Sequence, residues 1–187
     1  MSYKIKEEIL PHLANARSKE EQVDAYLKEY RTYLLRDYER EAFKEMCSGF
    51  NRMKRRNFWC CEGLDLCVEV GDIVYMEFGQ AFLNEAGFQH FGLVMQLWNR
   101  KALVVPMTSN QKSYETAINV SDRGRSHLYY IGYVRGLSNH STLFLNDIKM
   151  LNTSRIISIN GSICPQSVMF KEIKQHLMKA LFETVIK

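Results

Sequence analysis

Hydrophobic side chains recur at helical spacing in the first quarter of the chain. Apolar residues follow one another there at steps of mostly three or four positions: Val23, Tyr26, Leu27, Tyr30, Leu34, Phe43 and Met46. Charged residues fill the positions between them, so the pattern predicts a helix with one apolar face. The segment from Ser18 to Glu21 is a capping box, in which the serine accepts a hydrogen bond from a free amide and the glutamate reaches back to another. Ser48 and Gly49 are predicted to end the helix.

Such a helix extends roughly 40 Å at the usual rise of 1.5 Å per residue. That length exceeds what is needed to cover a small domain. Two interpretations stay open: the helix packs on its own domain, or it presents a surface for dimerisation or for a partner protein.

From position 70 onward, the apolar segments have the length and composition of β-strands. The predicted strands are residues 73–78, 91–98, 102–107, 117–120, 128–134 and 156–159. Turn-forming residues separate them, such as Asn99-Arg100 and Arg135-Gly136. Several short strands with few helices between them indicate one antiparallel sheet curled into a small barrel.

The chain is predicted to close with a helix that covers this sheet. Gly161 precedes the helix and Pro165 lies in its first turn. Its apolar stripe consists of Met169, Ile173, Leu177, Leu181 and Val185. The fold class is therefore α+β, with an N-terminal helical region at residues 1–57 and a barrel domain at residues 68–187.

Composition narrows the class of protein. Hydrophobic residues make up 46% of the 187 positions, which is enough for a packed core. The sequence contains no run of eighteen uncharged apolar residues and no signal-peptide core near its first residue, so we expect a cytoplasmic protein without membrane contact. The net charge of +4 permits nucleic-acid binding but does not indicate it.

The cysteines point to neither a disulfide framework nor a metal site. The five residues are Cys47, Cys60, Cys61, Cys67 and Cys164, an odd number without repeated spacing. Zinc sites usually show paired ligands at CxxC or HxxxH spacing, and neither is present. We expect reduced, partly buried thiols, no metal and no cofactor.

A short basic run ends the helical region. Arg52 and residues 54–56 are basic, and Phe58 and Trp59 follow them. Cations beside aromatic rings are able to hold a phosphate backbone and stack on its bases, whereas most such runs are solvated linkers. The sequence leaves both interpretations open.

Four motifs in the barrel region carry a resemblance to a known family. They are Gly71-Asp72-Ile73-Val74-Tyr75, Gln89-His90-Phe91-Gly92-Leu93-Val94-Met95, Val105-Pro106-Met107-Thr108-Ser109, and Ser141 to Leu145 followed by Asp147-Ile148-Lys149 and Arg155-Ile156. In order and spacing they resemble the PemK/MazF family of bacterial toxin endoribonucleases. The resemblance covers residues 70–156, about half of the chain. It implies a small SH3-like antiparallel β-barrel, and it says nothing about residues 1–57.

The resemblance also implies an activity. Members of this family cut single-stranded RNA without metal, which indicates attack by a 2′-hydroxyl on the neighbouring phosphate. His90 stands where the best-known members have arginine, and an imidazole is able to exchange a proton at neutral pH whereas arginine hardly does. The expected catalytic residues are His90, Thr108 and Ser109, with the two hydroxyl residues placed after a strand where they reach the scissile phosphate. For Thr108 and Ser109, a turn that satisfies its own backbone is the competing interpretation.

Cations on the following loops are the expected RNA-binding residues. Lys112 adds a positive charge near the same phosphate, and Arg123 and Arg125 hold flanking phosphates. His127 and His140 are expected to be structural or surface residues. Asp147 stands at a polar family position, with capping of a short helix as its alternative role.

Partners follow from the same resemblance. It implies a homodimer that forms the RNA groove, together with a protein antitoxin that covers this groove. Related barrels also occur in toxins that act on a topoisomerase through protein contacts alone, so a non-catalytic module binding protein or RNA remains the alternative.

Overall fold

The structure is a computed structural model that describes residues 18–36 and 39–182. Its helices and strands in chain order are α1 (Lys19–Arg36), α2 (Glu39–Arg55), β1 (Asp72–Gly79), β2 (Phe88–Trp98), β3 (Lys101–Thr108), α3 (Gln111–Glu115), β4 (Leu128–Gly132), β5 (Ser141–Phe144), β6 (Lys149–Asn152), β7 (Ile156–Ser162) and α4 (Val168–Phe182). Single turns of 3-10 helix occur at Cys61–Leu64 and Thr153–Arg155. The predicted α+β class is confirmed. None of the described helices is long and apolar enough to cross a membrane.

The chain forms two compact units, Met1–Met46 and Cys47–Lys187. In the first, the capping box forms as predicted: the amide of Glu21 donates to Ser18 Oγ at 3.1 Å, and the amide of Ser18 donates to Glu21 Oε2 at 3.3 Å. The apolar stripe of α1 is not buried, since α1 contains no buried residue and Leu27 is 52% exposed. Within this unit the Tyr30 hydroxyl of α1 donates to Glu45 Oε1 of α2 at 2.9 Å, so α1 contacts its own unit while Val23, Tyr26 and Leu27 are exposed.

Helix α2 continues past the predicted stop at Ser48 and Gly49 and ends at Arg55. The expectation was wrong because tertiary contacts engage the residues after the apolar stripe. Ser48 Oγ donates to Glu77 Oε1 at 2.6 Å, and Arg55 Nη1 donates to the carbonyl of Ile156 at 2.6 Å. These bonds hold the last two turns of α2 on strands β1 and β7, within the second unit.

The seven strands form one antiparallel sheet in the order β4-β5-β3-β2-β1-β7, with β6 also paired to β3. Strand β3 is shared: Lys101 to Val104 pair with β6, whereas Met107 and Thr108 pair with β5. Because the two halves of β3 pair with different strands along the same edge, the sheet bends at β3 and curls round its core. In the described residues no pairing joins β4 to β7, so the curled sheet stays open along that seam.

Two parts of the strand prediction need correction. Residues 117–120 form turns with a single bridge between Ala117 and Arg125, because the Asn119 side chain bonds both backbone groups of Tyr130 in place of a strand. Strands β5 and β6 were not predicted. Each has four residues, which is too short for a clear alternation of apolar and polar positions.

The sheet buries side chains on both faces of β1 to β3. Ile73, Leu93 and Val105 belong to a core that β4, β5 and α4 complete. Val74 and Val104 belong to a second core on the opposite face. Near-continuous apolar runs are typical of strands buried on both sides, which is why these three strands were correctly predicted.

Helix α4 buries two residues of the predicted stripe, Ile173 and Leu177, together with Phe170, which was not predicted. Phe170, Ile173 and Leu177 are buried, whereas Met169 and Leu181 are 38% and 43% exposed. The helix begins after Ser167, whose Oγ accepts a hydrogen bond from the amide of Phe170 at 3.2 Å. Of the remaining residues named for this helix, Pro165 precedes its first turn, Gly161 belongs to β7, and Val185 lies outside the described residues.

Tyr129 joins strand β4 to helix α4 through a hydrogen bond from its phenol to Glu172 Oε2 at 2.8 Å. Burial raises the pKa of Tyr129 to about 12, and the bond to Glu172 and its negative charge add to the effect. An unfolded tyrosine ionises near a pKa of about 10. Between these values the native chain keeps a proton that the unfolded chain loses, so the stabilisation present below pH 10 is lost as the pH rises towards 12.

We therefore expect Tyr129→Phe to flatten this alkaline loss of stability. Urea unfolding of both proteins at pH 8, 10 and 11.5 measures the difference, because every other tyrosine titrates equally in the two chains. The native protein should be the more stable of the pair at pH 8, and its advantage should shrink at pH 11.5. A difference that stays constant with pH would contradict the raised pKa.

Candidate active site

The β2–β3 register brings His90 and Thr108 to the same end of the sheet. Gly92 pairs with Pro106 in an antiparallel ladder. This pair is the last of the ladder, and His90 of β2 and Thr108 of β3 are each two residues beyond it at the same end of the two strands. Thr108 in turn pairs with Thr142 of β5, so Ser141 lies next to the same edge. Three segments far apart in sequence thereby meet at one rim.

A cavity of about 430 Å³ lies at this rim. Its lining residues are Tyr75, Gln89, His90, Phe91, Met107, Thr108, Ser109, Gly136, Leu137, Ser138, Asn139, Ser141 and Asn160. The three residues expected to be catalytic thus share one cavity. His90 and Ser109 are exposed at its mouth, Thr108 is half-buried, and Met107 and Ser141 are buried.

The far wall of the cavity depends on a glycine. Gly136 has a φ of +98°, and a Cβ atom there would overlap the carbonyl oxygen of Asn160. Only glycine adopts this conformation without strain and allows the loop after β4 to lie against β7. The loop residues Ser138 and Asn139 consequently face the strand residues across the cavity.

The Thr108 hydroxyl accepts a hydrogen bond within its own turn, and its O–H group can still donate one. Its Oγ1 accepts a hydrogen bond from the amide of Asn110 at 3.2 Å. The Asn110 side chain in turn accepts from the amide of Lys112 at 2.9 Å and begins helix α3. A hydroxyl has one donor besides its acceptor sites, so this turn fixes the position of Thr108 without using its O–H. The structural and the functional interpretations of Thr108 are therefore compatible.

Tyr75 lines the cavity and was not among the expected site residues. Its ring lies 5.0 Å from that of Phe91, centroid to centroid. Burial raises the pKa of the Tyr75 phenol, and the nearby Glu77 and Cys47 raise it further. The phenol is thus a hydrogen-bond donor at neutral pH. Tyr75 lies within the first of the four sequence motifs, and strand alternation places it on the face of the buried Ile73, where it pairs with Phe91 of β2.

A buried carboxylate fixes the back of the site. Glu77 is 4% exposed, and its oxygens accept hydrogen bonds from Ser48 Oγ at 2.6 Å, Asn51 Nδ2 at 3.3 Å, the amide of Gly79 at 2.9 Å and Gln89 Nε2 at 2.8 Å. Gln89 lines the cavity directly before His90. The carboxylate therefore positions the strand end that carries the imidazole.

The expected RNA-binding cations lie outside this cavity. Lys112 and Arg125 line a separate depression of about 320 Å³ that begins at Asn110, the residue after Ser109. The two depressions are therefore adjacent. Arg123 is exposed and lines neither of them.

The other polar residues singled out in the sequence have structural contacts. Burial lowers the pKa of His127, with Arg125 adding to the effect. His140 hydrogen-bonds Tyr130 through Nδ1 and packs on the rings of Tyr114 and Tyr133.

Asp147 was placed at a polar family position, with helix capping as its alternative. Its carboxylate accepts a hydrogen bond from the amide of Ala86 and lies 3.5 Å from Lys149 Nζ. It anchors the β1–β2 loop instead of capping a helix. Among the described residues, no three His, Cys, Asp or Glu side chains are grouped to hold a metal ion.

Solved structures similar to this chain include MazF proteins and an endoribonuclease. MazF from Deinococcus radiodurans shares 16% identity over 63% of this chain and 98% of its own, with a TM-score of 0.47. An endoribonuclease bound to its cognate antitoxin, from a mycobacterial species, shares 13% identity over 63% of this chain and 98% of its own, with a TM-score of 0.45. A MazE–MazF structure from Deinococcus radiodurans shares 16% identity over 64% of this chain and 100% of its own, with a TM-score of 0.44. No family model and no curated protein matches the sequence.

Proposed function

We propose that this protein is a metal-independent endoribonuclease that cuts single-stranded RNA by 2′-hydroxyl attack. The observation that carries the proposal is the shared cavity of His90, Thr108 and Ser109. Among the described lining residues, His90 alone has a side chain whose ordinary pKa, about 6.5, lies near neutrality. The remaining polar groups are hydroxyls and amides, which suit the binding of a phosphate through hydrogen bonds.

The reaction assigns a task to each group. The 2′-oxygen forms a bond to phosphorus while the bond from phosphorus to the 5′-oxygen breaks, leaving a 2′,3′-cyclic phosphate and a 5′-hydroxyl. In our proposal the His90 imidazole accepts the 2′-hydroxyl proton. The O–H groups of Thr108 and Tyr75 and the Ser109 hydroxyl donate to the phosphate oxygens, where negative charge accumulates in the transition state. Water supplies the proton for the departing 5′-oxygen.

The cations next to the cavity are placed to hold the strand outside the scissile bond. Lys112 and Arg125 share a depression that begins one residue after Ser109. Phosphate contacts of this kind fix the register of a nucleic acid and carry no sequence information themselves. In our proposal they bind the phosphates next to the one attacked, with Arg123 on the same loop.

The biological role that we propose is that of a cytoplasmic toxin with a protein antitoxin, acting as a homodimer. The motifs of the barrel region support this role, because they resemble a family of such toxins. The exposed apolar stripe of α1, with Val23, Tyr26 and Leu27 each about half exposed, is a suitable surface for the second copy or for the antitoxin.

The proposed activity is tested by incubating the purified chain with mixed-sequence single-stranded RNA in excess EDTA. We expect discrete cuts whose upstream fragments end in a 2′,3′-cyclic phosphate and whose downstream fragments start with a 5′-hydroxyl. A double-stranded RNA of the same sequence is the control and should stay intact. Intact single-stranded RNA in the presence of folded protein would refute the nuclease.

A non-catalytic module that binds a protein partner is the second candidate. Phe82 and Leu83, in the loop between β1 and β2, are 86% and 94% exposed, and large apolar side chains at a loop tip favour protein contacts. This candidate predicts that Phe82→Ser/Leu83→Ser abolishes partner binding and that RNA stays uncut. RNA cleavage by the native chain that is unaffected by this double substitution would contradict it.

A further inference from the structure

A second cavity, with four arginines in its lining, lies on the other side of Glu77. It has a volume of about 260 Å³ and is lined by Asn51, Arg52, Arg55, Arg56, Phe58, Glu77, Asn152, Ser154 and Arg155. The last turn of α2 supplies Arg52 and Arg55, the residue after it is Arg56, and the turn between β6 and β7 supplies Arg155. Residues about a hundred positions apart in sequence therefore form one basic concavity.

The positive charge in this cavity is not neutralised by the protein. Within the described residues, none of the four guanidinium groups forms an ion pair with a carboxylate. The one acid in the lining is Glu77, and both of its oxygens already accept hydrogen bonds from neutral groups. Four guanidinium groups and one carboxylate leave three positive charges in excess (4 − 1 = 3), and these cations repel one another unless an anion joins them.

The four arginines divide into fixed and exposed groups. Arg55 Nη1 donates to the carbonyls of Ser154 and Ile156, and Arg155 Nη1 donates to the carbonyl of Glu77. Arg52 and Arg56 are exposed. Two guanidinium groups are therefore held in place as the floor of the cavity, and two are available at its mouth.

Interaction with the helix dipole explains only part of this arrangement. Basic residues in a last helical turn stabilise the helix by facing its negative end, and Arg52 and Arg55 lie in that turn. This effect does not require Arg155, which comes from another element, or Phe58, whose ring is 39% exposed beside the arginines. An aromatic face next to convergent guanidinium groups is typical of single-strand binding sites.

The two cavities are separated by one pair of side chains. Gln89 lines the cavity of His90, Glu77 lines the arginine cavity, and Gln89 Nε2 donates to Glu77 Oε2 at 2.8 Å. A strand that leaves the first cavity therefore reaches the second by crossing this pair. The short separation favours a continuous polyanion over a free nucleotide as the occupant.

We propose that the arginine cavity binds the phosphate backbone of the RNA strand beyond the cleavage site, with Phe58 stacking on a base. This inference rests on the proposed function, which makes RNA the bound strand. The cations of the arginine cavity are different residues from Lys112, Arg123 and Arg125. Arg52 and Arg56 make the exposed phosphate contacts. Arg55 and Arg155 form the fixed floor beneath them.

The test measures binding of a single-stranded RNA dodecamer with 2′-fluoro riboses, which has no 2′-hydroxyl and is not cleaved. Full-length protein is compared with Arg52→Gln/Arg56→Gln and with Lys171→Gln/Lys174→Gln, which removes the same charge from exposed positions of α4. We expect at least about tenfold weaker binding for the arginine variant. Its slope of log affinity against log salt should be smaller by about 1.4, because each of the two phosphates that it no longer neutralises accounts for about 0.7. The lysine variant should bind like the native chain.

Each outcome decides the proposal separately from the nuclease. Equal affinities for the two variants would overturn the arginine site even if RNA is cut. Loss of affinity in the arginine variant alone would support the site even if RNA stays intact, in which case the nuclease proposal fails.

Adenosine triphosphate is the second probe. If it binds as tightly as the dodecamer, and if this binding depends on Arg52 and Arg56, the cavity takes free nucleotides and the RNA path is refuted. Equal urea midpoints of the variants confirm that all are folded.

Discussion

Replacing His90 with alanine is expected to lower the rate of RNA cleavage by about 10²- to 10⁴-fold, the usual contribution of a positioned acid or base. His90 is the residue of its cavity whose side chain exchanges a proton near neutral pH, and the hydroxyls around it have much higher ordinary pKa values. Affinity for an uncleavable RNA should change little, because Thr108, Ser109 and the neighbouring cations are retained. Single-turnover cleavage rates and binding of the 2′-fluoro RNA separate the two effects.

The His90→Arg variant distinguishes proton transfer from simple charge stabilisation. Arginine carries the positive charge and donates hydrogen bonds, but it does not release a proton at any pH that the protein survives. We expect this variant to remain as slow as His90→Ala. Restored cleavage would show that position 90 only clamps the phosphate. His127→Gln, outside the cavity, is the matched control and should cut at close to the native rate.

The Glu77→Ala variant is expected to lose about 3 kcal/mol of unfolding free energy, a large part of the 5–15 kcal/mol typical of a folded domain. The carboxylate accepts hydrogen bonds from four groups on α2, β1 and β2, and its removal leaves the buried Ser48 hydroxyl and three part-buried donors without this acceptor. The variant should also increase the mobility of the Gln89 side chain, which loses its hydrogen bond to Glu77, and of the strand end that carries His90. Urea unfolding gives the change in free energy.

Two comparisons make the Glu77 result interpretable. Glu77→Gln keeps one acceptor oxygen and should lose about half as much, because its amide group faces donors instead of accepting from them. Glu115→Ala removes an exposed carboxylate that accepts a hydrogen bond from Gln111 and should shift the free energy by no more than about 0.5 kcal/mol. If Glu77→Ala were as mild as Glu115→Ala, the buried network would not contribute to the stability of this unit.

Local features of the fold were predictable because their causes lie within a few residues. The capping box from Ser18 to Glu21 forms as expected, since both of its hydrogen bonds join residues three apart. Strands β1, β2 and β3 were located closely, because burial on both faces leaves long apolar runs. The motifs also contain the three residues predicted to be catalytic, His90, Thr108 and Ser109, and all three line one cavity.

Features that depend on distant partners were not predictable. The sequence placed the end of α2 at Gly49, but Glu77 and Ile156 hold the helix as far as Arg55. Asn119 replaces a strand by bonding Tyr130, eleven residues away. These contacts do not change the local spacing of apolar and polar residues, so they cannot be predicted from the periodicity of the sequence.

The residues of the candidate site were likewise predictable only in part. The residue types of the site can be read from the amino-acid sequence: an imidazole, two hydroxyls after a strand, and a basic run followed by aromatics. Their grouping depends on the fold, which adds Tyr75 to the first group, adds Arg155 to the basic run, and puts Glu77 between the two cavities. The physical reason is that short-range patterns fix helices, strands and turns, whereas the pairing of strands and the burial of a charge fix which side chains share a space.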